Sequence, residues 1–362
     1  MKTTRTSSRK QQHVNISLTK DVAFRTKSSG FDHLDFLHNA LPELNLADID
    51  SSSIFLGKKI ALPLIISSMT GGYAKAERIN RQLAEVCAQK NIALGVGSQR
   101  QASENDQHHR SFSIVREIAS DIPIFGNIGA AEVARLRDAS PIVRLIDLIE
   151  ADGFAVHLNP LQELLQPEGD ANFSGVLDGI ELLVKALPVP LIVKEIGAGI
   201  SSDVARRLIN VGVKIIDVAG AGGTSWAGVE ILRRRNKEGS KISRDVISKK
   251  EVKSSNAELF WDWGIPTTDA LKSVCRLKSE SPSLKVIASG GISNGIDCAK
   301  SIALGADFVA SAMSMLQAIA SGGTEAAIKL IDQWEWELKG VMFLTGSQSI
   351  AELQKQILYS RM

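Results

Sequence analysis

From Pro63 onward, short apolar runs alternate with stretches whose apolar positions recur at helical spacing. The runs are Leu64–Ser67, Ile92–Val96, Ile122–Phe125, Phe154–Leu158, Leu191–Val193, Val213–Val218, Val286–Ala288 and Phe308–Ala310. They do not alternate apolar with polar residues, the pattern of parallel strands covered on both faces. Between them, Ala76–Lys90 sets Ile79, Leu83 and Val86 on one helical face. Phe112–Ala119, Ile142–Glu150, Val176–Ala186, Asp203–Val211 and Ile296–Leu304 read as the helices of later units. Eight strand–helix units over about 250 residues match a closed (β/α)8 TIM barrel. An open doubly wound sheet is the competitor, and eight regular units favour closure. The α/β barrel is expected over residues 61–322, after an N-terminal extension at 1–60 and before C-terminal helices at 323–362, Glu325–Lys339 and Ile350–Leu358. A charged insertion at 235–262, after the sixth strand, is long enough to be a mobile lid.

Composition narrows the class. The chain has 362 residues, 44% of them hydrophobic and 23% charged, as in an ordinary water-exposed globular protein. A net charge of +2 implies neither a nucleic-acid nor a membrane partner. The uncharged run Phe308–Thr324 is broken by Ser, Gln and Gly, so no membrane span is expected. Cys87, Cys275 and Cys298 have no paired spacing, which suggests neither a disulfide framework nor a zinc site and fits a reducing cytoplasm. Residues before Asp21 lack acids and are rich in Lys, Arg, Ser and Thr, which suits a transit-like leader or, equally, a disordered or phosphate-seeking basic arm.

The chemistry collects where the strands end, the edge at which parallel α/β proteins place their sites. After Phe154-Ala155-Val156 come His157, Asn159, Gln162 and Glu163, with Pro160 stopping the strand. An imidazole, two amides and a carboxylate can orient a substrate, bind phosphate and hold a hard cation. The first strand ends in Ser67-Ser68-Met69-Thr70-Gly71-Gly72, the second in Gly97-Ser98-Gln99-Arg100 and the third in Gly126-Asn127-Ile128-Gly129. Lys194 follows the fifth strand and points at the barrel mouth; a pair with Glu195 is its structural alternative. Glycine-rich exits follow the sixth strand (Gly220-Ala221-Gly222-Gly223-Thr224) and the seventh (Gly290-Gly291), and Ala312-Met313 opens the last helix. Glycines on three exits, with no dinucleotide fingerprint, argue for a flat phosphorylated cofactor, and FMN is the natural candidate.

The combination of Met69-Thr70-Gly71-Gly72, Gly97-Ser98-Gln99-Arg100, the run from His157 to Glu163, Gly222-Gly223-Thr224-Ser225-Trp226 and Trp263-Gly264-Ile265-Pro266-Thr267 resembles type 2 isopentenyl diphosphate isomerase. That family is a (β/α)8 flavoenzyme of isoprene biosynthesis. It interconverts isopentenyl and dimethylallyl diphosphate with reduced FMN, a NADPH or NADH reductant and Mg2+. The resemblance implies that Ser67, Ser68, Met69, Thr70, Ser98, Asn127, Lys194 and Thr224 hold the flavin and ribityl groups. Gly290, Gly291, Ala312 and Met313 would hold its phosphate. Arg9, Lys10, Ser98, Gln99, Arg100, His157, Asn159 and Gln162 would bind the diphosphate substrate, and Glu163 the Mg2+. Gln162, His157 and Lys194 are the candidate catalytic residues. A cytoplasmic homo-oligomer, tetramer or octamer, is implied. Two positions depart from the family pattern: Ser293 stands where an arginine is common, and Ser311-Ala312-Met313-Ser314 replaces an Ala-Arg-Pro exit. Both touch the phosphate cup.

The rival readings are weaker. A flavin enzyme oxidising 2-hydroxy acids wants a His/Arg pair near the seventh strand, where this chain has Ser289-Gly290-Gly291-Ile292 and no histidine beyond His157. A dehydrogenase with a cysteine nucleophile is disfavoured because Cys275 and Cys298 lie in helical stretches. A non-catalytic flavoprotein has no need of the polar set after the fourth strand.

Overall fold

The computed structural model describes residues 5–239 and 254–361. Eight parallel strands close into a barrel: Leu64–Ile66, Ala93–Gly95, Ile124–Gly129, Gly153–His157, Leu191–Lys194, Ile215–Asp217, Lys285–Ser289 and Phe308–Ser311. The eighth pairs with the first, Val309 opposite Leu64, so no sheet edge is left open. All eight fall on the expected runs. The third is longer than its apolar run, because Gly126-Asn127-Ile128-Gly129 continues to pair with the fourth strand as far as Gly129 opposite His157. Glycine is required at 126: a Cβ there would stand 2.5 Å from the Phe154 ring.

Two apolar cores result. The barrel interior holds Ile65, Ala93, Phe125, Ala155, Ile192, Ile215, Ile287, Phe308 and Ala310. A larger shell between strands and helices includes Leu83, Val86, Phe112, Ile142, Ile180 and Leu208, the residues whose spacing marked the helices. The entry end of the barrel is closed by an antiparallel hairpin, Ser53–Phe55 with Lys58–Ile60, which inserts Phe55 and Ile60 beneath the strands.

The N-terminal extension carries a helix, Arg5–Thr19, over the exit end of the barrel. Its Ile16 packs with Val22 and Val229. The end of the chain differs from expectation. Met313–Thr345 is one long helix interrupted at Gly322 and Gly323, with Glu325–Lys339 inside it. The expected helix Ile350–Leu358 stops at Leu353, and Leu358–Ser360 pairs as a strand with Leu34–Phe36. Only the first turn has a core to bury, since Leu353 is 0% exposed and Ile357 77%. Arg361 then clamps Asp35 at 2.6 and 2.8 Å.

Of the 235–262 insertion, residues 240–253 lie outside the described residues. The return segment is folded: Ala257 and Trp261 pack on Leu165, Ala227 and Ile231. Trp261 Nε1 donates to Ala23 O at 2.8 Å, and Arg25 stacks on its ring.

Candidate active site

A cleft of about 800 Å³, open mouth included, lies at the exit end of the strands. Its walls are set by strand register. Gly129, His157, Lys194 and Asp217 are successive partners across the third to sixth strands, so His157, Lys194 and Asp217 project to the same side. Asn127, two residues before Gly129, points the same way, and its Oδ1 lies 2.7 Å from His157 Nδ1.

Pro160 begins a short helix, Pro160–Leu165, that turns the fourth-strand exit back over the mouth. Asn159 Nδ2 donates to Glu163 Oε1 at 2.9 Å and to Gln162 Oε1 at 3.1 Å. Glu163 Oε2 accepts from Asp170 N at 2.7 Å. Asn159, Gln162 and Glu163 all line the cleft. Burial, outweighing the Asn159 bond and the arginines, pushes the Glu163 carboxyl up. A cation beside it would reverse that shift.

The helix Arg5–Thr19 supplies Arg9, Lys10 and His13 from above. Lys10 Nζ donates to Ser98 O. Burial, with Arg9 next, brings Lys10 down to about 7. Arg100 reaches in from the second-strand exit, 2.9 Å from Glu132 and 3.4 Å from Glu104. Burial, then Lys194, Lys10 and Arg9, take His157 down to about 3, so the ring is neutral. Several cations therefore converge on one small space. They raise each other's cost, and an anion would relieve it.

Of the expected site residues, Arg9, Lys10, Ser98, Arg100, His157, Asn159, Gln162, Glu163, Ser68, Met69, Thr70, Asn127 and Lys194 come together here. Gln99 does not. It is 0% exposed, its amide donating to Leu145 O at 2.9 Å and accepting from Asn127 N at 3.2 Å. It braces the second strand exit against the third instead of facing a substrate. Ser67, Thr224, Gly290, Gly291, Ala312 and Met313 do not line the cleft either. Gly290 and Gly291, with φ of 99° and 71°, press on the sixth-strand loop, where a Cβ on Gly290 would meet Gly220 O at 2.1 Å.

Sequence reading missed the acids behind the cleft. Glu230 is 0% exposed and accepts from His13 at 2.8 Å and Arg233 at 2.8 Å, with Gln162 at 3.5 Å. Oriented by its neighbours, Gln166 donates to Glu230 and accepts from Arg9. Burial opposes the Glu230 charge, but His13 and Arg233 outweigh it and hold the carboxyl below its ordinary range. Arg233 is held in turn by Glu168 at 2.5 Å. The signal was available: Trp226, Glu230 and Arg233 lie at i, i+4 and i+7 on one face of the helix Trp226–Gly239. Asp217, an acid ending an apolar run, was equally legible.

The residues fit a flavin and a hard cation. Ser68 Oγ and Asn159 Oδ1 are buried with no hydrogen-bond partner, which suits the polar edge of a bound group. Lys194 can face an electron-rich ring edge, and Glu163 has the oxygen chemistry that Mg2+ prefers. Among the described residues no cluster of His, Cys, Asp and Glu is sufficient to hold a metal by itself. Substrate oxygens and water would have to complete the shell. No helix among the described residues is long and apolar enough to cross a membrane.

Together the barrel and its mouth define a (β/α)8 fold with its site at the strand exits, and the family comparison adds FMN dependence. The FMN-dependent dehydrogenase family pattern matches residues 161–360. Curated relatives give the narrower assignment. The isopentenyl-diphosphate delta-isomerase of Chlorobaculum parvum is 47% identical over 98% of this chain and 98% of its own length. That of Pelodictyon phaeoclathratiforme is 47% identical, covering 99% and 98%. That of a Nostoc species is 44% identical, covering 96% and 94%. The chain belongs to the isopentenyl-diphosphate delta-isomerase family, in its flavin-dependent type. Among solved structures, a mandelate oxidase variant (TM-score 0.63, 15% identity, 94% of both chains) has the same fold. So does a lactate oxidase of Pediococcus acidilactici (TM-score 0.67, 14% identity, 98% of this chain and 94% of that one). At that identity the likeness is of fold alone.

Proposed function

We propose that the cleft interconverts isopentenyl diphosphate and dimethylallyl diphosphate with reduced FMN, primed by NADPH or NADH, and with Mg2+ on Glu163. The observation that carries this reading is the convergence of Asn159, Gln162 and Glu163 with Arg9, Lys10, Arg100 and Lys194 on one cleft. An anionic head would belong among the arginines and Lys10, and Glu163 would be the carboxylate to hold Mg2+ and offset the head's charge. The short hydrocarbon tail then reaches Gln162 and Trp226, both of which line the cleft.

Moving a double bond requires one carbon to gain a proton and another to lose one. When bound, reduced FMN supplies an acid–base group matched to such weak carbon acids. The chain's own contribution is placement. Gln162 faces the reacting carbons, its carboxamide tied to Asn159 at 3.1 Å. His157, neutral and anchored to Asn127, offers Nε2 to the diphosphate. Lys194, Asn127, Ser68, Met69, Thr70 and Thr224 would hold the flavin and ribityl groups, while Gly290, Gly291, Ala312 and Met313 would serve the phosphate end. The helix Arg5–Thr19 roofs the cleft and keeps water from the alkene.

Purified protein should be yellow or bind added FMN, and should isomerise isopentenyl diphosphate under reducing conditions. Gln162→Ala should abolish isomerisation and leave flavin bound. A colourless protein that takes up no FMN removes the cofactor; a yellow protein with no isomerase activity removes the reaction.

A further inference from the structure

Lys194, Asp217 and Ser289 end three neighbouring strands. Lys194 is the register partner of Asp217, and Asp217 of Ile287, so Ser289, two residues on, projects the same way. Each is at most 6% exposed. Lys194 Nζ lies 3.8 Å from Asp217 Oδ2 and donates to Glu195 O at 2.5 Å. Asp217 Oδ1 accepts from Ser289 Oγ at 2.5 Å and from Ala219 N at 3.2 Å. Of the three, only Lys194 lines the cleft. The carboxylate therefore stands behind the ammonium, itself fixed by Ser289 from the neighbouring strand end and by the Ala219 N–H two residues further along its own chain segment.

We propose that Asp217, held by Ser289, is a positioning residue of the flavin site: the counter-ion that keeps the Lys194 ammonium in place and aimed into the cleft. The proposal rests on the reading of Lys194 as a flavin-holding group. Two physical effects oppose each other here, and their signs make the proposal testable. Removing one partner of a buried ion pair leaves an uncompensated charge at high cost. Lys194 would respond by swinging toward water in the open cleft. That takes the ammonium from the place where a ring edge needs it, and FMN binds more weakly. If Asp217 were only background charge, its removal would make the cleft more positive, and the anionic FMN would bind as well as before or better.

The experiment is FMN titration of the full-length chain after removal of its flavin, read by quenching of flavin fluorescence. The variants are Lys194→Met, Asp217→Asn, Ser289→Ala and the double variant Lys194→Met/Asp217→Asn. Loss of one charge-assisted bond should weaken FMN roughly ten- to a hundredfold in Lys194→Met and about as much in Asp217→Asn. The double variant should be no weaker than Lys194→Met, because both changes remove the same contact. Ser289→Ala should weaken FMN a few-fold, and the effect should vanish in the Lys194→Met background. It carries the test alone if Asp217→Asn does not fold. Wild-type or tighter affinity in Asp217→Asn, or losses that multiply in the double variant, overturns the proposal while Lys194 keeps its role. Wild-type affinity in Lys194→Met removes the reading of Lys194, and the proposal with it.

Discussion

At the entry end of the barrel, Phe55 packs 4.7 Å from the Phe308 ring and 6.3 Å from Phe125, with Ile60 and Ile215 around them. At the exit end the same interior positions are occupied by Asn127, His157, Lys194, Asp217 and Ser289. The strands and their register are continuous between the two ends; only the side chains change. The apolar end needs nothing but shape, and its burial contributes to folding wherever it occurs. The polar end has to satisfy or pair every buried group, as His157 does with Asn127 and Asp217 with Ser289. Such a layer is costly to stability and is retained where chemistry needs it, at the exit face of the barrel.

The sharpest way to separate the ends is Phe55→Ala. It should cost about 3–5 kcal/mol of stability, the range for a buried aromatic, and leave the FMN affinity of the folded fraction unchanged. A denaturant melt beside an FMN titration checks it; a flavin affinity that falls in step with stability would erase the division.

Glu163→Gln works at the other end. It keeps shape but removes the charge a hard cation wants, so the Mg2+ needed for half-maximal rate should rise roughly a hundredfold, with FMN still bound. An unchanged Mg2+ dependence would place the metal elsewhere. Arg100→Ala and Arg9→Ala should each raise KM for the diphosphate by about one to two decades, the cost of one charge-assisted bond. Wild-type KM would make them structural, holding Glu132 or Gln166 instead of substrate.

The smallest effect is a proton. Burial brings Lys10 down to about 7 from 10.5, so below pH 7 the folded and unfolded chains both hold its proton and the cost of burying it is full. Between those values the unfolded chain holds more protons, and stability should rise with pH. Inorganic pyrophosphate favours the ammonium, so its binding at pH 8 should take up protons. Calorimetry in two buffers of different ionisation enthalpy reads this uptake. Lys10→Met should lose most of it, which separates Lys10 from His157. Binding without proton uptake would contradict the buried, partly neutral lysine.

The barrel was legible because its strands are unbroken apolar runs and its helices keep their spacing. The fourth-strand exit was legible because Pro160 marks where the strand must stop and polar groups follow at once. The acids Glu230 and Asp217 left a signal, a helix face and the end of an apolar run, but their roles, like that of Glu132, were not legible. Each acts through a neighbour, and that neighbour is fixed by register or by a helix face instead of by sequence proximity. Gln99 was misplaced for the same reason: it sits between two phosphate candidates in the chain, yet its side chain turns to Leu145 and Asn127. The final strand, Leu358–Ser360, could not be read, because its partner is more than 300 residues away in the chain.

On the proposed reading, the exit end of this barrel moves protons and returns its electrons, unlike the oxidases that share its fold. The measurement is the ratio of dimethylallyl diphosphate formed to NAD(P)H oxidised, with oxygen excluded. A single priming reduction should support many turnovers, dithionite should replace the nucleotide, and the ratio should stand far above one. Nucleotide consumed in step with substrate into a product that carries its electrons, with dimethylallyl diphosphate no longer formed once the priming reductant is spent, would contradict this and make the enzyme an oxidoreductase.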